Sequence, residues 1–410
     1  MKCSIHYRTC CRLCGSSKLR EFIRFIKIPF TDEFVDLGHF GHEFTADLGL
    51  FWCEKCRTVQ TQHDVEVNEY YRDYRYTVSS SPFARIFMQR LAQETVRRFG
   101  LRSGDIVIEI GSGDGFQLGC FQNLGMRVLG FEASNELTSH AQDIGVPTIQ
   151  TLFNCSGVDQ IPTDMQPAQV VLLTYTFDHL PDPRSFLDLV NRVLDPDRGL
   201  LIIEVHDLAK IVTRREVCLF EHEHTIYLTA ITMQRLLKSC NFRLLSTDLL
   251  PESERRGNSL LVVAAPISNS RHVVTFASSP QDSIFEKWNS FEQFSDEVCQ
   301  GVDRFRDYLR RKQQAGIRVA GYGAGGRGVI TLAMAGISPA EMIYLCDQNS
   351  ASYGFFTPVT HIPIVNPDHV YFEPVSELVV FSYAYLDEIK QHLRRFVENG
   401  GRLTSILELI

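Results

Sequence analysis

One glycine-rich turn constrains this chain more than any other feature. Ile106-Val-Ile-Glu-Ile-Gly-Ser-Gly-Asp-Gly115 runs a short β-branched strand into the turn, and Val128-Leu-Gly-Phe-Glu132 is a second apolar run ending in an acid. A strand, a tight glycine turn and a second strand closed by a carboxylate are how a doubly wound α/β sheet holds an adenosine-bearing cofactor. Gly111, Gly113 and Gly115 tolerate positive φ and let the backbone approach a ligand. Glu132 stands where a carboxylate can accept hydrogen bonds from both ribose hydroxyls.

The spacing Glu109-x-Gly111-x-Gly113-x-Gly115 resembles the S-adenosylmethionine (SAM) loop of class I methyltransferases more than the G-x-G-x-x-G dinucleotide loop. A dinucleotide site and a cofactor-free glycine turn are the alternatives at this point. The expected SAM contacts are Glu109, Gly111, Ser112, Gly113, Phe131, Glu132, Ala133 and Thr176. Around the loop, strands and helices alternate. Phe83–Phe99 reads as an amphipathic helix, Ile106–Ile110, Val128–Phe131, Val170–Thr174, Leu200–Val205 and Leu260–Ala265 as strands, and Phe186–Val193 and Met233–Cys240 as helices. The expected class is α/β in three parts. Residues 1–72 form a small zinc-binding unit, 73–267 a Rossmann-like SAM domain, and 268–410 a second Rossmann-like domain entered through a long helix over Ile284–Gln313.

Composition excludes several classes. The chain has 410 residues, 44% of them apolar, and a formal net charge of −8, which argues against a nucleic-acid surface while leaving room for a local basic pocket for a diphosphate. The longest apolar runs, such as Leu260–Pro266, are far short of the roughly 20 residues that span a bilayer. No signal-peptide order is seen near the start, so a cytoplasmic protein with reduced thiols is expected; the sequence leaves its oligomeric state open, with a monomer the favoured expectation.

Four of the 12 cysteines fall in two C-x-x-C pairs, Cys11/Cys14 and Cys53/Cys56. That spacing lets two thiolates occupy adjacent tetrahedral positions on Zn²⁺. The gap between the pairs is longer than the roughly 15–20 residues of common zinc ribbons, so Phe22–Phe51 must fold back to bring them together. Four cysteines leave no open position, which makes the expected zinc structural. A disulfide or redox role is the alternative.

Two further segments carry titratable groups. Phe177-Asp178-His179-Leu180-Pro181 follows the strand at 170–174, and Phe220-Glu221-His222-Glu223-His224 packs two histidines and two acids into one stretch. The H-x-H pair suits either metal chelation or a base oriented by a carboxylate. Polar residues at a sheet edge are the plainer reading. A second glycine loop, Gly321-Tyr-Gly-Ala-Gly-Gly326, with Asp347 downstream, fits a dinucleotide fingerprint on paper.

In their order and spacing these elements resemble the sugar C-methyltransferase family of deoxysugar biosynthesis, across almost the whole chain. The resemblance rests on the four cysteines, the linker Tyr74-Arg-Tyr76-Thr-Val-Ser-Ser-Ser81, the SAM loop with Gly130-Phe-Glu132, Asp178-His179-Leu180, Glu223-His224, Gly257-Asn258-Ser259-Leu260, Gly321-Tyr-Gly-Ala324, Asp347 and His361-Ile-Pro363. It implies C3 methylation of a nucleotide-linked 4-keto-deoxyhexose. His224 would be the general base and Glu223 its neighbour, with His179 and Tyr76 in the sugar pocket. Tyr74, Glu221, Asn258, Tyr322, Arg327 and Asp347 would contact the sugar nucleotide. Three positions depart from the family pattern: Glu221 replaces a tyrosine, Arg256 a histidine and Arg327 a lysine. They keep open O- or N-methylation of another small molecule. A non-catalytic zinc-bearing binding module is the alternative from a different class.

Overall fold

The computed structural model describes residues 4–31, 33–66, 79, 81–278 and 280–410. Near the start, β1 (Ile5–Tyr7) pairs with β5 (His63–Val65). Between them β2 (Leu19–Pro29), β3 (Thr45–Cys53) and β4 (Val59–Thr61) form an antiparallel meander. The apolar stretch between the cysteine pairs is therefore a hairpin, and folding back on itself returns Cys53 to Cys14.

The central sheet runs β12 (Phe242–Ser246), β13 (Leu260–Pro266), β10 (Leu200–Val205), β9 (Val170–Thr174), β6 (Ile106–Ile110), β7 (Arg127–Glu132), β8 (Thr148–Gln150). Strands β6 to β10 are mutually parallel, and β13 enters antiparallel between β10 and β12. Because β6 and β10 are covered on both faces, they read as Ile, Val and Leu on both sides, each interrupted by a single buried glutamate, Glu109 or Glu204, rather than alternating apolar and polar. Strand order reverses between β6 and β9, so a crevice opens there at their carboxyl ends.

The C-terminal sheet is all parallel, in the order β16 (Ile364–Val365), β15 (Leu345–Cys346), β14 (Val319–Tyr322), β17 (Glu377–Val380), β18 (Arg402–Ser405). Helix Trp288–Gln314 precedes it. Its buried positions Phe291, Phe294, Val298, Val302, Phe305 and Leu309 recur every three or four residues, one continuous apolar stripe.

The units interlock. β11 (Ile226–Tyr227), which follows the His224 segment, leaves the central sheet and pairs with β4. Phe22, Leu50 and Trp52 of the meander, Phe220 and Tyr227, and Phe291 and Phe294 of the long helix share one core. Each aromatic buries a large apolar area, so the ends of the chain are sealed together across the segment that carries Glu221 to His224.

Candidate active site

At the crevice, the chain leaves β6 and turns left-handed at Gly111 (φ 69°), where a Cβ would lie 2.4 Å from Thr176 Oγ1. Only glycine fits. Two residues on, a Cβ on Gly113 would meet nothing within 4 Å, so the loop opens onto free space. Glu132 closes β7 and is fixed by the Gly113 and Ser134 amides, each donating to one carboxylate oxygen at 2.8 Å. Burial lifts its carboxyl above the usual range despite those amides. Ser112 Oγ is buried and has no hydrogen-bond partner among the described residues. An open cradle, an aligned carboxylate and an orphaned hydroxyl fit an adenosyl ligand with its ribose diol at Glu132. Phe131 packs edge-on against Phe153 at 5.1 Å beneath the loop, and Glu109 is buried in the strand, its carboxyl pushed well up by burial.

Thr176 begins the loop after β9, and two residues later Asp178 and His179 enter a cluster of imidazoles. His206 Nδ1 donates to Asp178 Oδ2 at 3.0 Å. The His224 ring lies 4.7 Å from that of His179 and 4.8 Å from that of His206. His224 Nδ1 stands 3.2 Å from the Leu219 carbonyl. A carbonyl can only accept, so Nδ1 carries the proton and Nε2 keeps its lone pair. Burial pushes the His224 imidazole down to about 3 and also lowers His179, so both rings are neutral at ordinary pH. Burial would raise Asp178, but the hydrogen bond from His206 and the neighbouring imidazoles outweigh it and hold the carboxyl well below its usual range. A neutral imidazole with a fixed tautomer can accept a proton, and the ionised carboxylate beside it stabilises the charge.

The N-terminal unit holds this cluster in place. Cys11 and Cys14 sit in one turn and Cys53 and Cys56 in a matching one, with Gly15 N donating to Cys11 O at 2.9 Å and Arg57 N to Cys53 O at 2.8 Å. Sulfur atoms of the two turns approach to 3.5 and 3.6 Å, and all four lie within 4.8 Å of one another. That is a tetrahedral thiolate set for Zn²⁺. Between Cys11 and Cys14, the buried Arg12 donates to Asp64 at 2.8 Å and to the Pro181 carbonyl at 3.1 Å. Thr225 N and Oγ1 donate to Asp178 O and Leu180 O, each at 2.7 Å. The loop at 178–181 is thus pinned from both sides by elements that the cysteines organise.

Three family models run through most of the chain. They are a zinc binding domain over residues 11–71, a methyltransferase domain over residues 84–247 and a C-methyltransferase C-terminal domain over residues 254–407. C-methyltransferase NovU of Streptomyces niveus is 28% identical over 397 residues, 96% of this chain and 94% of that protein. The chain is a SAM-dependent methyltransferase. SAM is its methyl donor and zinc its structural metal. Solved structures align over less of it. Magnesium protoporphyrin IX methyltransferase of Synechocystis PCC 6803, solved with SAM, is 14% identical over 48% of this chain and 87% of its own (TM-score 0.33). A Burkholderia thailandensis 1,6-didemethyltoxoflavin-N1-methyltransferase is 19% identical over 44% of this chain and 78% of its own (TM-score 0.34). Among the described residues, no helix is long and apolar enough to cross a membrane.

His224 and His179 are in ring contact, and His179 follows, three residues on, the Thr176 against which Gly111 of the glycine loop packs. Tyr74 and Tyr76 lie outside the described residues. His222 does not chelate with His224. Its Nε2 meets the Ile28 carbonyl and its Nδ1 meets His63 Nε2, both at 2.9 Å. Glu223 is buried beside His224 in sequence. Glu221 reaches two ways: one oxygen is 3.9 Å from His224 Nδ1, and the other is 2.6 Å from where a Cβ on Gly326 would stand. It therefore touches the positive end of helix Gly326–Ala335. Asn258 ties the Asp207 amide at 2.7 Å and also donates to Glu216. Arg256 lies beneath the site in a buried ion pair with Glu204, its guanidinium over the Phe87 and Tyr175 rings.

In the C-terminal sheet, Asp347 repeats the role of Glu132, accepting from Ala324 N at 2.7 Å and Asn349 N at 2.8 Å. Tyr322 is buried at the end of β14. Arg327 stacks on Tyr383 at 4.9 Å and faces Gly257 across the seam with the central sheet. His206 is the site residue that the sequence reading missed. A lone histidine after a strand carries no motif, and only the strand order β10-β9 puts it opposite Asp178.

Proposed function

We propose that this enzyme methylates C3 of a nucleotide-linked 4-keto-deoxysugar, with His224 as the general base. The observation that carries the reading is a neutral imidazole whose Nε2 keeps its lone pair, one ring contact from His206 and from the His179 that follows Thr176, the residue packed on Gly111. SAM, when bound, supplies an electrophilic methyl group to a carbon nucleophile. His224 Nε2 takes the proton from C3, which the adjacent ketone acidifies, and a placed base of this kind is worth roughly 10²–10⁴-fold. His179 donates to the enolate oxygen, where a fixed donor acts on charge as it develops, and Tyr76 is the other donor the family resemblance offers. Asp178 stabilises the imidazolium formed during transfer. Glu223 sits beside the base and shapes its surroundings. Burial of the cluster excludes water from the reacting carbon.

Arg327, at the start of helix Gly326–Ala335, with Tyr322, Asp347, Asn258 and Glu221 around the same seam, would hold the nucleotide. A helix N-terminus and an arginine suit its diphosphate. The test is incubation with labelled SAM and a panel of dTDP-, GDP- and UDP-linked 4-keto sugars. Label on carbon with one of them is expected, and its loss in His224→Ala while SAM binding persists. Equal turnover in that variant removes His224 from the base role, and label on oxygen or nitrogen replaces the reading.

A further inference from the structure

The imidazole cluster has a property that proton transfer alone does not require. One oxygen of Asp178, one ring nitrogen of His206 and one of His224 all lie within 4.8 Å of one another. We infer that Asp178, His206 and His224 form a second metal site, one for a divalent transition cation such as Zn²⁺ or Co²⁺, distinct from the four-cysteine site.

Three observations converge on it. First, the 3.0 Å between His206 Nδ1 and Asp178 Oδ2 matches the spacing of neighbouring ligands on an ion with bonds of about 2.1 Å. The His224 nitrogen, within 4.8 Å of the other two ligand atoms, needs to close in by up to about 1.8 Å to reach that spacing. Second, metal-binding histidines commonly donate their other ring N–H to a backbone carbonyl, which fixes the tautomer. His224 already does this toward Leu219 O at 3.2 Å. Third, Asp178 is 2% exposed, and its Oδ1 receives no hydrogen bond among the described residues. A buried carboxylate oxygen left so is costly unless a cation faces it. Burial keeps His224 neutral, the form that ligates. Two imidazoles and one carboxylate suit Zn²⁺, Co²⁺ or Fe²⁺ and are too nitrogen-rich for Mg²⁺ or Ca²⁺.

The site has a chemical consequence that rests on the reading above. A lone pair on a cation cannot take a proton, so occupancy and deprotonation by His224 exclude each other. The cation would act as an off-switch on the base.

The test uses the full chain with the cysteine site already filled with zinc, titrated with Co²⁺ alone and followed by calorimetry and visible absorption. A second equivalent is expected, with weak d–d bands and without the intense sulfur charge-transfer bands of a thiolate site. His206→Gln and Asp178→Asn should each weaken it by tenfold or more while metal at the cysteines stays constant. The partly exposed His206 makes the first variant the safer one for folding. Absence of a second equivalent, or equal affinity in a folded His206→Gln protein, overturns the inference. Cobalt should also slow methylation of whichever sugar nucleotide is accepted. If cobalt binds but no keto-sugar is methylated in its absence, the substrate reading fails and the metal site stands.

Discussion

Lowering the pH from about 7.5 to about 5 protonates every histidine in the unfolded chain, but the His63–His222 pair has no room for a proton. The Ile28 carbonyl forces the His222 proton onto Nε2, so Nδ1 is a lone pair that accepts from His63 Nε2 at 2.9 Å. Protonating His222 Nδ1 would set two donors against each other. Burial and this geometry push His63 down to about 4 and His222 to about 3, against about 6.5 when unfolded. The folded values are depressed and the groups are bases. Their contribution is therefore intact above the unfolded value and is lost as pH falls through 6.5 toward about 4, because the unfolded state binds more protons there. At about pH 5 each histidine costs about 2 kcal/mol relative to neutral pH, and the pair about 4 kcal/mol.

His222→Gln keeps one donor for Ile28 O and one acceptor for His63 but cannot titrate. It should halve the loss and lower the slope of stability against pH by about 1.4 kcal/mol per pH unit over the window. Urea melts followed by tryptophan fluorescence read the right place, since the chain's two tryptophans, Trp52 and Trp288, touch at 5.9 Å on this unit. Identical slopes for the two proteins would refute the argument. The other buried histidines contribute equally to both and cancel in the comparison.

Glu132→Ala removes the anchor of the Gly113 and Ser134 amides as well as the expected ribose acceptor; SAM affinity should fall by about 10–100-fold in calorimetry, corresponding to about 1.5–3 kcal/mol for hydrogen bonds to a charged group. Gly111→Ala places a methyl group 2.4 Å from Thr176 Oγ1 at φ 69°, and the variant should lose both SAM binding and about 2 kcal/mol or more of stability. A variant that binds SAM normally would show that the loop can open. Cys53→Ser should lose zinc by elemental analysis and, with it, the Arg12 contact to Pro181 and most methyltransferase activity; a stable, metal-free, active protein would detach zinc from the site.

The central sheet was legible because its strands are buried on both faces. Ile106–Ile110, Val170–Thr174 and Leu200–Val205 stand where their apolar runs put them, the first and last broken only by Glu109 and Glu204 and the second ended by Thr174. Glu132 and the glycine loop were legible for a related reason, since a left-handed backbone at Gly111 beside Thr176 excludes other residues. The meander of β2 and β3 was not. Register shifts near Glu21/Ile23 and Phe25/Ile28 break the two-residue alternation that identifies a half-buried strand. The His222–His63 and His206–Asp178 pairs join residues 159 and 28 positions apart. A spacing rule cannot see such partners, so H-x-H left chelation and base catalysis both open, whereas its two rings face different partners, His222 meeting Ile28 and His63 and His224 meeting His179 and His206. Arg256 is similar, since its departure from the family histidine makes sense only once Glu204 is found buried against it.

These long-range pairs also explain why the zinc unit cannot be treated as an appendage. The segment from Glu221 to Tyr227 has few bonds of its own; its shape comes from β4 through Ile226 and Tyr227, from Ile28 and His63 through His222, and from the 178–180 loop through Thr225. Arg12, held between two zinc-binding cysteines, fixes Pro181 at the far end of that loop. His224 is therefore aimed by contacts that trace back to the four thiolates and, through Phe220 and Tyr227, to the aromatic stripe of helix Trp288–Gln314. A base displaced by an ångström loses much of its rate advantage. On the proposed role of His224, the first and last units of the chain thus act on the reaction through the contacts that fix this one imidazole.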